Sequence, residues 1–171
     1  MDIEELRSIQ APLKEKYKSN AESAVISTRA ECDLDGENIA CQIATHIGTT
    51  IAGLHPATGG DGKKACSADM LMESLVACAG VTLQAVAKAM RIHLNQAKVI
   101  AEGNWDARGT LGIDRDAPVG LREVRLMFEI NSPADSEQLS KLVELTERYC
   151  VIYRTLTNPP SLSTQVRVSK K

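Results

Sequence analysis

The sequence lacks a surplus of charge of either sign, an apolar leader and an internal repeat. Its 171 residues carry 20 lysines and arginines against 22 aspartates and glutamates, a formal net charge of −2. Proteins that bind nucleic acid present a basic surface to the phosphates, so this balance argues against a nucleic-acid partner. The first 20 residues are charged and lack the apolar core of a secretory signal, which predicts a cytoplasmic protein.

Long uninterrupted apolar runs are missing as well. The most apolar stretch, residues 70–90, is broken by polar side chains at Glu73, Ser74, Thr82, Gln84 and Lys88. A membrane-spanning helix needs about 20 predominantly apolar residues. We therefore predict a buried helix of a soluble domain and no membrane partner.

Motifs that hold metals or phosphates are also lacking. The three histidines are not paired, and residues 59–64 do not follow the phosphate-loop pattern. There is no Cys-x-x-Cys motif, and the odd, uneven set of cysteines is poor evidence for a secreted disulfide framework. We expect no cofactor or metal, and thiols that start reduced. The cysteines are Cys32, Cys41, Cys66, Cys78 and Cys150.

What the sequence does contain begins with a charged helical pattern followed by short alternating patterns. Residues 2–18 have apolar side chains at roughly helical spacing, with Pro12 expected to break or kink the helix. We treat residues 1–20 as an N-terminal helical appendage and residues 21–171 as the main domain. Alternation and turn residues then predict three strands and a long glycine-rich loop, at 23–34, 39–43, 49–54 and 55–66.

Two longer helical patterns alternate with further strands. Residues 67–90 begin with Ser67 as a candidate N-cap and are apolar on nearly every side, so we expect the rest of the fold to enclose this helix. A second helix ends near Tyr149. The other patterns predict strands at 97–107, 121–130 and 161–168 and a short helical turn at 150–156. The order β-β-β-α-β-β-α-β is typical of an α+β fold.

Two segments of the chain have a distinctive pattern. Residues 67–80 give a capped helix start, an acidic residue, an apolar, alanine-rich run and then Cys78. Residues 147–150, Glu-Arg-Tyr-Cys, close the second long helix. In this order the two segments resemble the OsmC/Ohr superfamily of thiol peroxidases. The resemblance covers about residues 23–169 in element order. It implies an intertwined homodimer that buries the central helix, which agrees with a helix apolar on every side.

The resemblance also implies a chemistry for two of the cysteines. Cys78 would be the peroxidatic thiol, which attacks an organic hydroperoxide and becomes a sulfenic acid, and Cys150 the resolving thiol, which condenses with it to a disulfide. An external thiol or dithiol reductant would restore the pair. The alternative is that each cysteine is a small residue that allows close packing.

The surroundings of the pair are less well defined by the sequence. Apolar burial raises the pKa of a thiol, and the family compensates with an arginine that an acidic residue at the helix start holds. Arg29 and Asp69 are the candidates here, Glu73 is a second possible carboxylate, and Asp69 has the alternative role of a first-turn residue favoured by the helix dipole. Cys150 opens a helical turn whose N-terminus would lower its pKa.

Two departures from the family pattern support a second hypothesis. Where hydroperoxide-specific members have a glutamate near the helix start, this chain has Ala68 and Asp69, and Val151 replaces the usual proline after the second cysteine. The chain would then be an OsmC-like protein without peroxidase activity, which binds a small apolar ligand or partner in a cleft at the dimer interface.

Overall fold

Helices and small antiparallel sheets alternate along the chain. The computed structural model describes residues 2–34 and 36–168, and within these ranges it has five helices and five strands. In chain order they are α1 (Ile3–Ser19), β1 (Cys32–Leu34), β2 (Ala40–Thr45), β3 (Gly48–Gly53), α2 (Ser67–Met90), β4 (Gln96–Asn104), α3 (Ala107–Thr110), β5 (Glu123–Asn131), α4 (Ser136–Tyr149) and α5 (Val151–Thr157). The predicted α+β class is confirmed.

The strands form two separate antiparallel sheets. One has the order β1-β2-β3, with Leu34 opposite Cys41 in the first pair. A tight turn that ends at Gly48 joins the second pair, and Gly48 has a φ of 139°, which favours glycine. The other sheet pairs β4 with β5 over nine positions. The predicted hairpins and the helix after the glycine-rich loop are therefore present.

Helix α2 supplies half of the buried apolar residues that the structure describes, through a single stripe of side chains. These residues recur at helical spacing, and Leu83, Val86 and Ala87 pack in one cluster with Leu142 of α4 and Phe128 of β5. Full burial of a leucine such as Leu142 contributes about 1.5–3 kcal/mol. The stripe consists of Leu75, Ala79, Leu83, Val86 and Ala87. The opposite side of α2 is not enclosed by this chain, because Val81 is 74% exposed.

We predicted that its polar residues exclude this helix as a membrane span. That prediction was wrong, because the helix is long and apolar enough for a span when judged by length and composition alone. An 18-residue window of Ser67–Met90 reaches a mean hydropathy of 1.6, enough for a span. Core helices of globular proteins meet the same criterion, and the packing of the α2 stripe against α4 and β5 is of that kind.

Helix ends follow local hydrogen bonding. Asp135 caps α4 in a reciprocal pair with Gln138, whose N–H donates to Asp135 Oδ1 at 2.8 Å while Gln138 Oε1 accepts from the Asp135 N–H at 3.2 Å. The N-cap of α2 is Cys66 and not the predicted Ser67, which is the first helical residue.

Helix α1 lies at the surface with Ile9 48% exposed. The division at residue 20 stays a prediction.

Two strand predictions were wrong: one strand is shorter than predicted, and the other does not form among the described residues. Residues 25–31 precede β1 without strand pairing, so the strand predicted over 23–34 shortens to Cys32–Leu34. The strand predicted at 161–168 does not form among the described residues, and the order ends with α5. Both segments show alternation, but a strand also needs a neighbour to pair with its backbone groups. Their apolar side chains are therefore left uncovered, with Ile26 72% and Leu162 95% exposed.

Candidate functional site

Cys78 and Cys150, far apart in sequence, lie close enough for each thiol to shift the pKa of the other. Cys78 lies in the middle of α2 and is half-buried, whereas Cys150 is fully buried. The contact forms because α2 packs on both α4 and α5, and Cys150 lies between those two helices. The structure thus brings together the two cysteines that the sequence resemblance singles out.

The backbone fixes Cys150 at the junction of two helices. It ends α4 and begins α5 in an extended conformation, and its N–H donates to the carbonyl of Thr146 at 2.9 Å. The N–H of Tyr153 in turn donates to Cys150 Sγ at 3.4 Å. The prediction that Cys150 opens a helical turn is confirmed. A residue held from both sides in this way presents its sulfur to α2 in one orientation.

Backbone amides at the start of α5 also face the other thiol. Burial acts to raise the pKa of Cys78, but it is opposed by hydrogen bonds from the N–H of Ile152, from the Cys150 thiol, from the N–H of Val151 and from the Thr82 hydroxyl. Together these donors hold the pKa of Cys78 below its ordinary value. The sequence analysis expected a cation to offset the effect of burial on the pKa of Cys78. The backbone amides of Ile152 and Val151 supply much of that offset instead.

Cys150 shows the opposite behaviour. Burial raises the pKa of its thiol, and a hydrogen bond and Coulomb repulsion from Cys78 raise it further, which outweighs the amide of Tyr153. The prediction that a helix N-terminus lowers the pKa of Cys150 was therefore wrong for the net direction, because burial and Cys78 outweigh the amides of α5. The pair divides into one thiol that ionises readily and one that stays protonated and donates to it.

An open cleft of about 820 Å³ lies near the pair, and its lining residues include neither Cys78 nor Cys150. It is lined by Leu75, about one turn before Cys78 on α2, and by Tyr153, whose backbone N–H donates to Cys150 Sγ. The rest of the wall is mostly apolar and includes Leu54, Leu71, Trp105, Val119, Leu121, Leu126 and Leu156. The arrangement suits an apolar molecule bound close to the two cysteines.

A few polar groups interrupt the apolar wall of the cleft. Nδ1 of His55 accepts from the N–H of Ala57 at 3.0 Å, so neutral His55 carries its proton on Nε2, and its ring meets Trp105 edge-on at 5.4 Å. Arg122 and Glu123 line the same cleft. The signal in the sequence for His55 was its position at the start of the predicted long loop, because loops of that length in compact domains are often functional. Arg122 had none.

Arg29 and Asp69 lie elsewhere in this chain. Arg29 is 83% exposed in the segment before β1 and pairs with Glu31, its Nη2 lying 2.6 Å from Oε2. Asp69 precedes Cys78 by nine residues (78 − 69), and at 3.6 residues per turn this places it about half a turn around α2 from Cys78. It lines a separate polar groove with Glu73. Among the described residues, neither Arg29 nor Asp69 is one of the groups that shift the pKa of Cys78, so their catalytic roles stay predictions.

The described residues contain no ready metal site. Over residues 2–34 and 36–168, histidines, cysteines and acidic residues do not assemble in groups of three or more that could hold an ion. The chemistry that the site itself offers is that of the two thiols.

Fold and site together define a class of protein, an α+β domain with two neighbouring thiols close to an apolar cleft. Residues 60–165, more than half of the chain, match the family described as OsmC-like protein. The chain belongs to this family, as its sequence resemblance predicted.

Curated relatives and solved structures agree with this membership. The chain is 28% identical over 98 residues to a hydroperoxide reductase of Mycoplasma genitalium, a match that covers 57% of this chain and 66% of the relative. It is 27% identical over 99 residues to a hydroperoxide reductase of Mycoplasma pneumoniae, covering 58% and 67%. The match to the first relative thus spans just under two thirds of that protein's length.

Solved structures show the same fold at lower identity. An OsmC-like protein from Mycoplasma pneumoniae superposes with a TM-score of 0.65 at 19% identity, over 78% of this chain and 89% of that one. An organic hydroperoxide resistance protein from Elizabethkingia anophelis superposes with a TM-score of 0.62 at 17% identity, over 79% and 91%. These similarities confirm the OsmC-like fold.

Proposed function

We propose that this protein is a cysteine-based peroxidase that reduces organic hydroperoxides, with Cys78 as the peroxidatic thiol and Cys150 as the resolving thiol. The observation that carries the proposal is the contact between two thiols whose pKa values move in opposite directions. The apolar cleft beside them provides a place for an organic peroxide. The hydroperoxide reductases among the curated relatives support the same activity.

The reaction proceeds in two steps at sulfur. The Cys78 thiolate attacks one peroxide oxygen, the O–O bond breaks, and the departing alkoxide takes a proton to leave as an alcohol. Cys78 is then a sulfenic acid. The Cys150 sulfur attacks the Cys78 sulfur, a disulfide forms, and the hydroxyl leaves as water. Two electrons from an external dithiol, or from two thiols of the cytoplasm, return the pair to its reduced state.

The opposed pKa shifts give the two steps an order. While Cys78 is a thiolate, its charge and hydrogen bond keep Cys150 protonated. Oxidation of Cys78 to an uncharged sulfenic acid removes that repulsion. The pKa of Cys150 then falls towards its ordinary value, so the resolving thiol becomes a better nucleophile at the step that needs it.

Sulfenic-acid trapping tests this assignment. In the Cys150→Ser protein, treatment with an alkyl hydroperoxide and dimedone should label Cys78, and mass spectrometry reads the site. The wild-type protein should instead give a Cys78–Cys150 disulfide. Cys66→Ser is the matched control, because Cys66 lines the cleft but is not in the pair, and it should react as wild type does. An unlabelled Cys78 in the Cys150→Ser protein would exclude the peroxidatic role.

We further propose that the working form is a homodimer. Apolar side chains remain uncovered on α2 and on both segments that were predicted as strands, for example Val81 at 74%, Val25 at 77% and Val166 at 80% exposure. A second copy that covers α2 and pairs with those segments would bury them. Arg29 lies in one of these segments, so the position of its side chain would then depend on contacts with the partner. Sedimentation velocity that shows a monomer at micromolar concentration would contradict this.

The second candidate function is ligand binding without peroxidase chemistry. It is favoured by the size of the apolar cleft and by Asp69, which lies on the other side of α2 from Cys78. The rate of Cys78 alkylation against pH separates the two functions. A lowered pKa supports the peroxidase, whereas an ordinary or raised pKa together with inertness to hydroperoxides supports the binding protein.

A further inference from the structure

A second pair of cysteines lies in the three-stranded sheet. In the antiparallel register of β1 and β2, Cys32 is opposite Ile43 and Cys41 is opposite Leu34. Because side chains alternate between faces, Cys32 and Cys41 share one face of the sheet as diagonal neighbours. The Cys32 thiol lies close enough to Cys41 to raise its pKa, and it does so more than burial does.

The backbone around this pair can adjust to a covalent link. Diagonal neighbours in an antiparallel sheet lie about 7–8 Å apart at Cα, slightly more than the 4.4–6.8 Å or so that a disulfide spans. β1 would have to move towards β2 by roughly 1–2 Å. It has only three residues, all exposed, and it forms the edge of its sheet. Such a movement disturbs little packing.

We infer that Cys32 and Cys41 form a second redox-active pair, which closes to an intramolecular disulfide by exchange with small disulfides such as glutathione disulfide. Cys32 is exposed and is the point of attack. Its thiolate attacks one glutathione sulfur, and the S–S bond breaks to release a glutathione thiolate. The Cys41 sulfur then attacks the Cys32 sulfur and releases the second. The protein loses two electrons, and its two thiol protons pass to the departing glutathiones.

This pair operates independently of the peroxidase chemistry. Its oxidant is a disulfide and not a peroxide, and its sulfurs lie on the β-sheet and not on α2. Protein without Cys78 and Cys150 should therefore still form the second disulfide, so failure of one proposal does not imply failure of the other.

Full-length protein with Cys66→Ser, Cys78→Ser and Cys150→Ser retains only the two cysteines of the sheet. It is equilibrated in glutathione buffers of increasing oxidised fraction, free thiols are alkylated, and the protein is cut before aspartate. That cut separates the cysteines, because Asp33 and Asp35 lie between them. We expect the loss of both free thiols together and a disulfide-linked peptide pair, in chains that stay monomeric on a denaturing non-reducing gel.

The matched control is the same protein with Cys41→Ser. There Cys32 has no second thiol, so the mixed disulfide with glutathione should persist. If the protein with both cysteines also accumulates glutathione on Cys32, or links between chains, the inference is overturned. The same peptide pair is sought in oxidised wild-type protein, so that poor folding of the triple variant cannot hide the answer.

Discussion

Replacing Val151 by proline removes a single N–H from the site and leaves the fold intact. Val151 is the first residue of α5, a position where proline is well tolerated because its missing N–H is not needed for the helix. Cys150 before it is extended, with φ −73° and ψ 109°, close to what a residue preceding proline prefers. The Val151 side chain is 68% exposed, so little packing is lost. The change is confined to the amide that faces Cys78.

Loss of that donor should raise the pKa of Cys78. A hydrogen bond to a charged group contributes about 1.5–3 kcal/mol, and one pKa unit corresponds to about 1.36 kcal/mol. The N–H of Ile152 and the Cys150 thiol remain as donors and contribute more than the N–H of Val151, so we take the low end. The expected rise is about one unit, which means roughly tenfold less thiolate at any pH below the pKa.

The measurement is the rate of Cys78 alkylation by iodoacetamide from pH 5 to 10, with the site read by mass spectrometry. Val151→Ala is the matched control, because it also shortens the side chain but keeps the N–H. The reaction of Cys78 with an alkyl hydroperoxide should slow in parallel in the proline variant alone. Equal pKa values in the two variants would refute the role that we assign to the start of α5.

Four further outcomes follow from the same structure. In stopped-flow assays, the rate of peroxide reduction should rise with pH and reach half its maximum below the ordinary pKa of a thiol, because the pKa of Cys78 is lowered. Cys150→Ala should remove both the donor and the resolving thiol, so dimedone labelling of Cys78 persists after the peroxide is consumed. Leu142→Ala, at a fully buried site, should lower the free energy of unfolding by about 2–5 kcal/mol in urea, whereas Ile47→Ala at a 99% exposed site should change it little. Asp135→Ala should lower the free energy of unfolding by about 0.5–2 kcal/mol because the helix cap is lost. Asp135→Asn should lower it much less, because asparagine can also cap a helix.

Short-range patterns in the sequence predicted the elements whose stability is local. The α2 boundaries, the C-terminal end of α4 and the strands β4 and β5 depend on residues that are near in sequence or on a continuous apolar pattern. The identity of the reactive cysteines came from the family resemblance. Their electrostatic environment could not be predicted from the sequence, because backbone amides of Val151 and Ile152 are among the donors to Cys78. Every residue except proline carries that group, so side-chain identity does not reveal where amides converge on a sulfur.

The wrong strand predictions at 25–31 and 161–168 have one physical cause. Alternation of apolar and polar residues indicates a face that must be buried, but it does not say which chain buries it. Within the described residues of one chain these segments have no pairing strand, and Ile26 and Leu162 are left in solvent. Val81 is exposed on the helix that was expected to be enclosed. Errors in three separate places that all leave apolar surface uncovered support the proposed homodimer, because a second copy that covers these places would bury them together.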